Sequence, residues 1–141
     1  MSTLFEKIID GLVPGHFVWQ DSLCVAFLSI DPQTDGHTLV VPRTPVDQWL
    51  DADEELMAHL MKVAGIIGRA QRTEWHSGRV GLVVEGFLVP HLHIHVFPVN
   101  SPDDFDQRNV THGQDQGVLG RNADRLRARL RSDGHTDVVP D

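Results

Sequence analysis

Three histidines alternate with apolar residues in the run Pro90-His91-Leu92-His93-Ile94-His95-Val96-Phe97. Successive side chains of a β-strand point to opposite faces. The alternation therefore predicts a strand over 91–99 that places the three histidines on one face and the aliphatic residues against the core. One histidine at an outward position would be ordinary, but three in succession require a chemical reason.

Two kinds of chemistry use histidines at this spacing. A metal ion can take two ligands from a His-x-His pair, but His91 and His95 start about 13 Å apart along a strand, so a single ion needs further ligands. Cys24 is the only cysteine, so no metal cluster of cysteine ligands can form within the chain. Alternatively, the neutral imidazole of His93 can attack phosphorus while its two neighbours donate to the phosphoryl oxygens. We favour this second interpretation and expect no metal and no cofactor.

Length, charge and patterning limit the remaining classes. The chain has 141 residues with 40% hydrophobic content, which suits one folded domain, and a formal net charge of −8. That charge argues against general nucleic-acid binding, although a nucleotide ligand remains compatible with it. The first residues do not resemble a signal peptide, and no apolar run reaches the ~20 residues that span a bilayer. We therefore expect a cytoplasmic protein without a membrane partner.

Hydrophobic periodicity predicts an α+β domain with a mostly antiparallel sheet of about five strands. The helices expected are a short one over 5–9 and a long one that Asp51 caps, with Glu54 three residues later. The strands expected are 16–19, 23–28, 37–42, 79–84 and 91–99. Residues 100–120 are polar and predict a loop. Four apolar residues with helical spacing then alternate with arginines, which favours a basic helix packed by its leucines over a tail that reaches a partner subunit or an anionic ligand.

The triad run resembles the signature of the histidine-triad (HIT) family, His-φ-His-φ-His-φ-φ with φ apolar. Further similarity lies upstream, in Leu4-Phe5-Glu6-Lys7-Ile8-Ile9 and in Gly36-His37-Thr38-Leu39-Val40-Val41-Pro42. The resemblance implies a HIT-like fold, with a HIT domain over 1–100 and a C-terminal loop and basic helical extension over 101–141. It also implies a homodimer and a purine nucleotide ligand.

The resemblance assigns roles to individual residues. His93 matches the nucleophile that forms a nucleotidyl-histidine intermediate, and His95 matches the residue that contacts phosphate near the leaving group. His91 and His37 match supporting histidines. A histidine at position 95 is typical of the hydrolases, whereas the related transferases carry glutamine there. The implied base pocket consists of Leu4, Phe5, Ile8, Phe27 and Ile30, and for these a plain core role explains the residue types equally well.

The chain departs from the family pattern at three places. The zinc ligands of some bacterial relatives are replaced by Thr3, Glu6 and Pro45, so that zinc site is not expected. Ser29 stands where Asp or Asn usually contacts the ribose, a role that Asp31 can take instead. Leu88 stands where a hydroxyl usually donates near the leaving group, and an apolar side chain makes no such bond.

The sequence thus predicts a nucleotide hydrolase of the phosphoramidate or dinucleoside-polyphosphate type that works through a covalent nucleotidyl-histidine. Two alternatives remain open. One is a nucleotide-binding regulatory protein with little turnover, and the other is a metal-dependent hydrolase that uses the histidine run as ligands.

Overall fold

A computed structural model describes residues 2–141 as a five-stranded antiparallel sheet with three α-helices. The helices are α1 (Leu4–Ile9), α2 (Glu54–Trp75) and α3 (Gln116–Ser132). The strands are β1 (Phe17–Gln20), β2 (Cys24–Leu28), β3 (Thr38–Pro42), β4 (Arg79–Val83) and β5 (Ile94–Val99). Their order in the sheet is β1-β2-β3-β5-β4, and every neighbouring pair is antiparallel. The predicted α+β class is confirmed.

The sheet separates two apolar clusters. Alternate residues of β2 enter different ones: Ala26 packs with α2 and α3, whereas Phe27 packs with α1. On β5, Ile94 belongs to the cluster under α2 and α3, so His95 projects to the other face. The triad therefore shares its face of the sheet with the short N-terminal helix, and the two long helices support the sheet from behind.

Helix α1 is short and depends on its cap. The Thr3 hydroxyl accepts a hydrogen bond from the Glu6 N–H, and the Glu6 carboxylate accepts one from the Thr3 N–H, which completes a capping box. Phe5 and Ile8 are buried on the side that faces the sheet. The prediction of a short N-terminal helix is confirmed.

The long helix begins two residues later than its predicted cap. Asp53 is the N-cap, and its Oδ1 accepts the Leu56 N–H at 2.8 Å. Asp51 instead ends a 3₁₀ turn, Trp49–Asp51. The prediction was wrong because several acidic residues precede Glu54 and each is a competent cap. The helix ends at His76 in the left-handed conformation, with φ of 50°.

The strand at the triad, β5, is shorter than the predicted strand over 91–99. β5 begins at Ile94, so His91 and His93 precede it. Both side chains are buried, whereas the sequence predicted outward positions for them. Two backbone features explain the late start. The Leu92 N–H donates to the Val46 carbonyl at 2.8 Å, away from the sheet, and Pro42 has no N–H with which to continue the ladder.

The chain after β5 is more ordered than a simple loop. Two 3₁₀ turns, Pro102–Phe105 and Gln107–Asn109, precede α3, which starts at Gln116 and not after Gly120. The interpretation of a helix packed by its leucines is confirmed, since its apolar residues join the cluster under the sheet. They are Leu119, Ala123, Leu126 and Leu130.

The arginines of α3 hold it against the rest of the domain. Arg125 and Arg129 both pair with Glu74 near the end of α2. Arg127 donates to the Phe17 carbonyl of β1 at 2.7 Å. Among residues 2–141, no helix combines the length and apolarity needed to cross a membrane.

Candidate active site

A cavity of about 640 Å³ lies on the triad face of the sheet. Its walls come from α1, from the segment that enters β1, from β2, β3, β4 and β5, from the loops after β2 and β4, and from the chain after β5. Eleven of the twelve predicted site residues line it. They are Leu4, Phe5, Ile8, Phe27, Ser29, Ile30, Asp31, His37, Leu88, His93 and His95.

His91 is the predicted site residue that does not line the cavity. It is fully buried beneath the other histidines, and both of its ring nitrogens are engaged. Nε2 lies 2.8 Å from the Pro42 carbonyl oxygen, so this nitrogen carries the proton and donates. Nδ1 then accepts from the Thr3 hydroxyl at 3.0 Å. Thr3, which was predicted to replace a zinc ligand of some relatives, thus makes a hydrogen bond to His91.

The tautomer of His93 is set by its neighbour's backbone. Nδ1 lies 2.7 Å from the His91 carbonyl oxygen, which can only accept, so Nδ1 carries the proton. Nε2 consequently has an unshared electron pair, as a nucleophile requires. The ring is 6% exposed and packs edge-on against Phe5, with ring centroids 4.8 Å apart.

His37 and His95 form a second hydrogen-bonded series. The Gln33 N–H donates to His37 Nδ1 at 2.9 Å, so the His37 proton resides on Nε2. That Nε2 lies 2.9 Å from His95 Nδ1 and donates to it. His95 therefore carries its own proton on Nε2. Its ring lies beside that of His93, with centroids 4.8 Å apart.

Burial keeps these histidines neutral. It is the largest cause of a lowered pKa at His93, where the charge of His91 lowers it further; the His91 carbonyl and the Glu85 carboxylate oppose the change. Burial and then the charge of His93 lower the pKa of His95 to about 4. For His37, burial followed by the charges of His95 and His93 lowers the pKa to about 3. At neutral pH these three rings are therefore neutral, with His93 Nε2 unprotonated and a proton on His95 Nε2.

The two residues predicted to contact the ribose, Ser29 and Asp31, are partly engaged with the protein. The Ser29 hydroxyl accepts the Asp31 N–H at 3.2 Å, and Asp31 Oδ1 accepts the Gly113 N–H at 2.7 Å. Leu88 lies at the rim and is 96% exposed, so its side chain projects largely into solvent. The loop that carries it places no hydroxyl beside the triad.

Sequence reasoning missed several residues that shape the cavity. Gln33 fixes the His37 tautomer through its backbone, and no side-chain pattern reveals such a role. Glu85 lies in the loop after β4, where a charged residue is common. Further residues of the cavity come from the chain before β1 and after β5, among them His16, Phe105, Gln107, Val110, His112 and Gln116.

A second cluster of polar side chains lies behind the sheet, away from the triad. Ligand-type atoms of Asp21, Cys24 and His59 lie within 4.8 Å of one another. The Asp21 carboxylate is already occupied, because it accepts from Trp19 Nε1 at 2.8 Å, from His59 Nε2 at 2.7 Å and from two backbone N–H groups. Burial alone raises the pKa of Asp21, but these hydrogen bonds outweigh it and lower the pKa to about 2. The hydrogen bonds of Asp21 thus connect β1, β2 and α2, and the cluster has a structural role.

Known proteins are similar to this chain in sequence and in fold. The sequence model of the HIT domain family matches residues 11–101 of this chain. An uncharacterized HIT-like protein of Synechococcus elongatus is 36% identical over 103 residues, which cover 67% of this chain and 87% of the relative. Two solved structures, each with a TM-score of 0.78, are also similar. A zinc-bound histidine triad family protein from Mycobacterium smegmatis is 28% identical and covers 94% of this chain and 95% of its own. A hypothetical histidine triad nucleotide-binding protein from Sulfolobus tokodaii is 27% identical, with 91% of each chain covered.

The fold and the histidine array define a nucleotide-binding class of α+β proteins, many of whose members are hydrolases. This chain belongs to the HIT family.

Proposed function

We propose that this protein is a nucleotide hydrolase in which His93 Nε2 attacks the α-phosphate of a nucleoside phosphoramidate or a dinucleoside polyphosphate. The observation that carries the proposal is the pair of fixed tautomers. His93 has an unprotonated Nε2 because Nδ1–H donates to the His91 carbonyl, and His95 has a protonated Nε2 because its Nδ1 accepts from His37. A nucleophile and a hydrogen-bond donor thus stand side by side.

The first step forms a bond between His93 Nε2 and phosphorus and breaks the bond to the leaving group, which departs with the electron pair. An amine leaving group takes its proton from water. The His93 ring becomes positively charged, and the hydrogen bond from Nδ1–H to the His91 carbonyl stabilises that charge. The Nε2–H of His95 donates to the oxygens on which negative charge develops.

The second step hydrolyses the nucleotidyl-histidine. A water molecule attacks phosphorus, the bond to His93 Nε2 breaks with return of the electron pair to the ring, and the surplus proton leaves to solvent. The product is a nucleoside monophosphate. The transferases of the family carry glutamine at the position of His95. A histidine there supports water as the final acceptor of the nucleotidyl group.

The test is to trap the intermediate. Protein is mixed with a substrate labelled at the α-phosphate and quenched in alkali, because a phosphorus–nitrogen bond of this kind is labile in acid. About one label per active chain is expected in the early phase, with none on His93→Gln, which keeps most of the side-chain volume. A full-strength label on His93→Gln would refute the assignment of the nucleophile.

A binding protein with little turnover is the second candidate. The absence of a hydroxyl on the exposed loop at Leu88 and the serine at position 29 favour it. Under this alternative, AMP binds the protein but neither label nor product accumulates, even with an activated phenyl ester of AMP. Rapid turnover of that ester would exclude the alternative.

A metal-dependent mechanism is less consistent with the hydrogen bonds. His91 commits both ring nitrogens to protein groups, and His93 Nδ1 is committed to a carbonyl. We therefore expect activity to persist after chelation. One zinc per chain, with activity lost on its removal and restored on its return, would reverse this conclusion.

We further propose that the protein is a cytoplasmic homodimer that binds purine nucleotides and does not bind nucleic acid. In the described chain, β4 is paired on one side only, by β5, and Leu82 on this strand is 42% exposed. An edge of this kind suits pairing with a second copy. Light scattering at several protein concentrations measures the mass, and a monomer throughout would contradict the dimer.

A further inference from the structure

His37 lies just outside the sheet that carries its hydrogen-bond partner. The pairing of β3 with β5 begins at Thr38, opposite Val96, so His37 precedes the first residue of the ladder. The His37 N–H donates to the Thr34 carbonyl at 3.2 Å, within the turn before β3 and not across to β5. The His37 ring must nevertheless stay 2.9 Å from His95, which is part of β5.

Two side chains connect the turn before β3 to β5. The Thr34 hydroxyl donates to the Pro98 carbonyl at 2.7 Å. The other side chain, Gln71, comes from α2, on the opposite face of the sheet from the triad. Its Nε2 donates to the Gly36 carbonyl and to the Val96 carbonyl, each at 2.9 Å. Both partners can only accept, so the amide nitrogen faces them with one hydrogen for each.

The two carbonyls that Gln71 binds flank the histidine pair. Gly36 immediately precedes His37, and Val96 immediately follows His95. A single amide group thus connects the two chain segments whose rings share a hydrogen bond. The Gln71 side chain is fully buried and does not line the cavity, so it holds these segments from behind the sheet without access to a substrate.

The turn at Gly36 also packs tightly on α2. Gly36 has a φ of 87°, a conformation that favours glycine, and a Cβ there would lie 2.7 Å from the Trp75 ring. Trp75 follows Gln71 by about one helical turn. The Thr38 hydroxyl donates to the same Gly36 carbonyl at 2.8 Å. Helix α2 therefore holds this turn both by packing and by a hydrogen bond.

We propose that Gln71 is a positioning residue for the hydrolysis, because its amide holds His37 where the ring can donate to His95. The inference rests on the proposed function, in which the protonated Nε2 of His95 donates to the phosphoryl oxygens. A hydrogen bond depends on both distance and angle, so a small displacement of the Gly36 turn weakens the bond between the rings. His95 then loses the contact that fixes its tautomer and its orientation.

The test replaces the amide by an unbranched side chain of similar length, in Gln71→Met. Protein labelled with ¹⁵N in its histidine rings reports the hydrogen bond through the scalar coupling between His37 Nε2 and His95 Nδ1 in NMR spectra. Wild-type protein is expected to show this coupling, and Gln71→Met should lose most of it. With an activated phenyl ester of AMP, kcat should fall by about tenfold while KM changes by less than about twofold, since a small misplacement affects the reacting groups more than binding.

Ile67→Val is the matched control, because it removes a buried methyl group from the same helix and no hydrogen bond. Urea unfolding should show a loss of stability, while the coupling and kcat stay near their wild-type values. Thr38→Val is a second variant, which removes the other donor to the Gly36 carbonyl. It should weaken the coupling in the same direction as Gln71→Met but to a smaller extent.

A full coupling in Gln71→Met, or a lost coupling with unchanged kcat, would overturn the inference. An equal fall of kcat in Ile67→Val would also overturn it, because the effect would then reflect a general loss of packing. The coupling is measured without substrate, so the two proposals fail separately. A coupling that depends on Gln71 in a protein without nucleotide turnover refutes only the hydrolase, whereas a labelled His93 with a full coupling in Gln71→Met refutes only the role of Gln71.

Discussion

The Nε2 of His37 donates a hydrogen bond to the Nδ1 of His95 across 2.9 Å. The direction of this bond is set outside the pair, because the Gln33 N–H already occupies the other nitrogen of His37. The backbone N–H of Gln33, acting through the His37 ring, therefore decides which nitrogen of His95 carries the proton. His93 follows the same rule through the carbonyl of His91. In each series a main-chain group, which cannot change its protonation, fixes the chemistry of a side chain.

Replacement of His37 should disturb His95 without touching the nucleophile. In His37→Phe a ring remains for packing against Phe97, but the donor to His95 is lost and the buried Gln33 N–H has no partner. We expect kcat to fall by about a hundredfold, at the lower end of general acid–base contributions, with a small change in KM. Steady-state kinetics on the same substrate measures both constants. Unchanged kcat would show that His95 needs no fixed tautomer.

Sequence patterns predicted the residue types of the site but not the contacts that control them. The resemblance to the HIT family assigned Phe5, Phe27, His37 and His93 to one site, and all four line the same cavity. The late start of β5 was not predictable, because it depends on a hydrogen bond to the Val46 carbonyl, and any residue carries a carbonyl.

The position of the chain after β5, which forms one wall of the cavity, was also not predictable from the sequence. Residues 100–120 have neither helical nor strand periodicity, which is typical of a loop. This segment docks through the backbone N–H groups of Thr111, Gly113 and Gln114, so its composition records nothing about where it binds. The four buried apolar residues of α3 did carry a periodic signal, and that part of the prediction is confirmed.

Replacement of His93 should affect stability as well as activity. His93→Ala removes a buried ring that packs on Phe5, and we expect a loss of about 1–3 kcal/mol in the free energy of unfolding. The turnover rate should fall by about 10⁴ or more, as on removal of other nucleophiles. Urea unfolding and single-turnover kinetics measure the two effects. His93→Gln should retain more stability and equally little activity, which separates the chemical role from the packing role.

The loop after β4 offers a matched test of leaving-group selection. Leu88 lines the cavity rim, whereas its neighbour Phe87, which is similarly exposed, does not line it. We expect Leu88→Ser to raise kcat/KM for an adenosine phosphoramidate by roughly five- to thirtyfold, the size of one hydrogen bond of about 1–2 kcal/mol. The gain for a phenyl ester of AMP with an acidic phenol should be smaller, since that leaving group needs no donor. Phe87→Ser should change neither substrate, and equal gains on both would show that position 88 does not sense the leaving group.

The pH profile of activity should reflect the burial of the nucleophile. Burial lowers the pKa of His93 below the ordinary value of 6.5, so the unprotonated ring persists in more acidic solution than an exposed histidine would. We expect kcat/KM to be retained from neutral pH down through 6.5 and to decline only below it. A profile of kcat/KM from pH 8 to pH 5 measures the acid limb. A midpoint above 6.5 would mean that the protonated form of His93 is favoured by the protein.

Folding stability should decline in acid for a related reason. In the unfolded chain His37 and His95 bind protons near pH 6.5, whereas in the folded protein their pKa values are about 3 and about 4. The unfolded state therefore binds more protons over this interval, and the stabilisation that is complete above 6.5 is lost as the pH falls toward 4. Each such histidine contributes a slope of about 1.4 kcal/mol per pH unit. Urea unfolding at pH 7.5, 6 and 5 measures the free energy of unfolding, and His37→Phe, which has one such group fewer, should show a shallower decline between pH 6 and pH 5. A free energy that stays constant from pH 7.5 to pH 5 would contradict the neutral, buried state of these two rings.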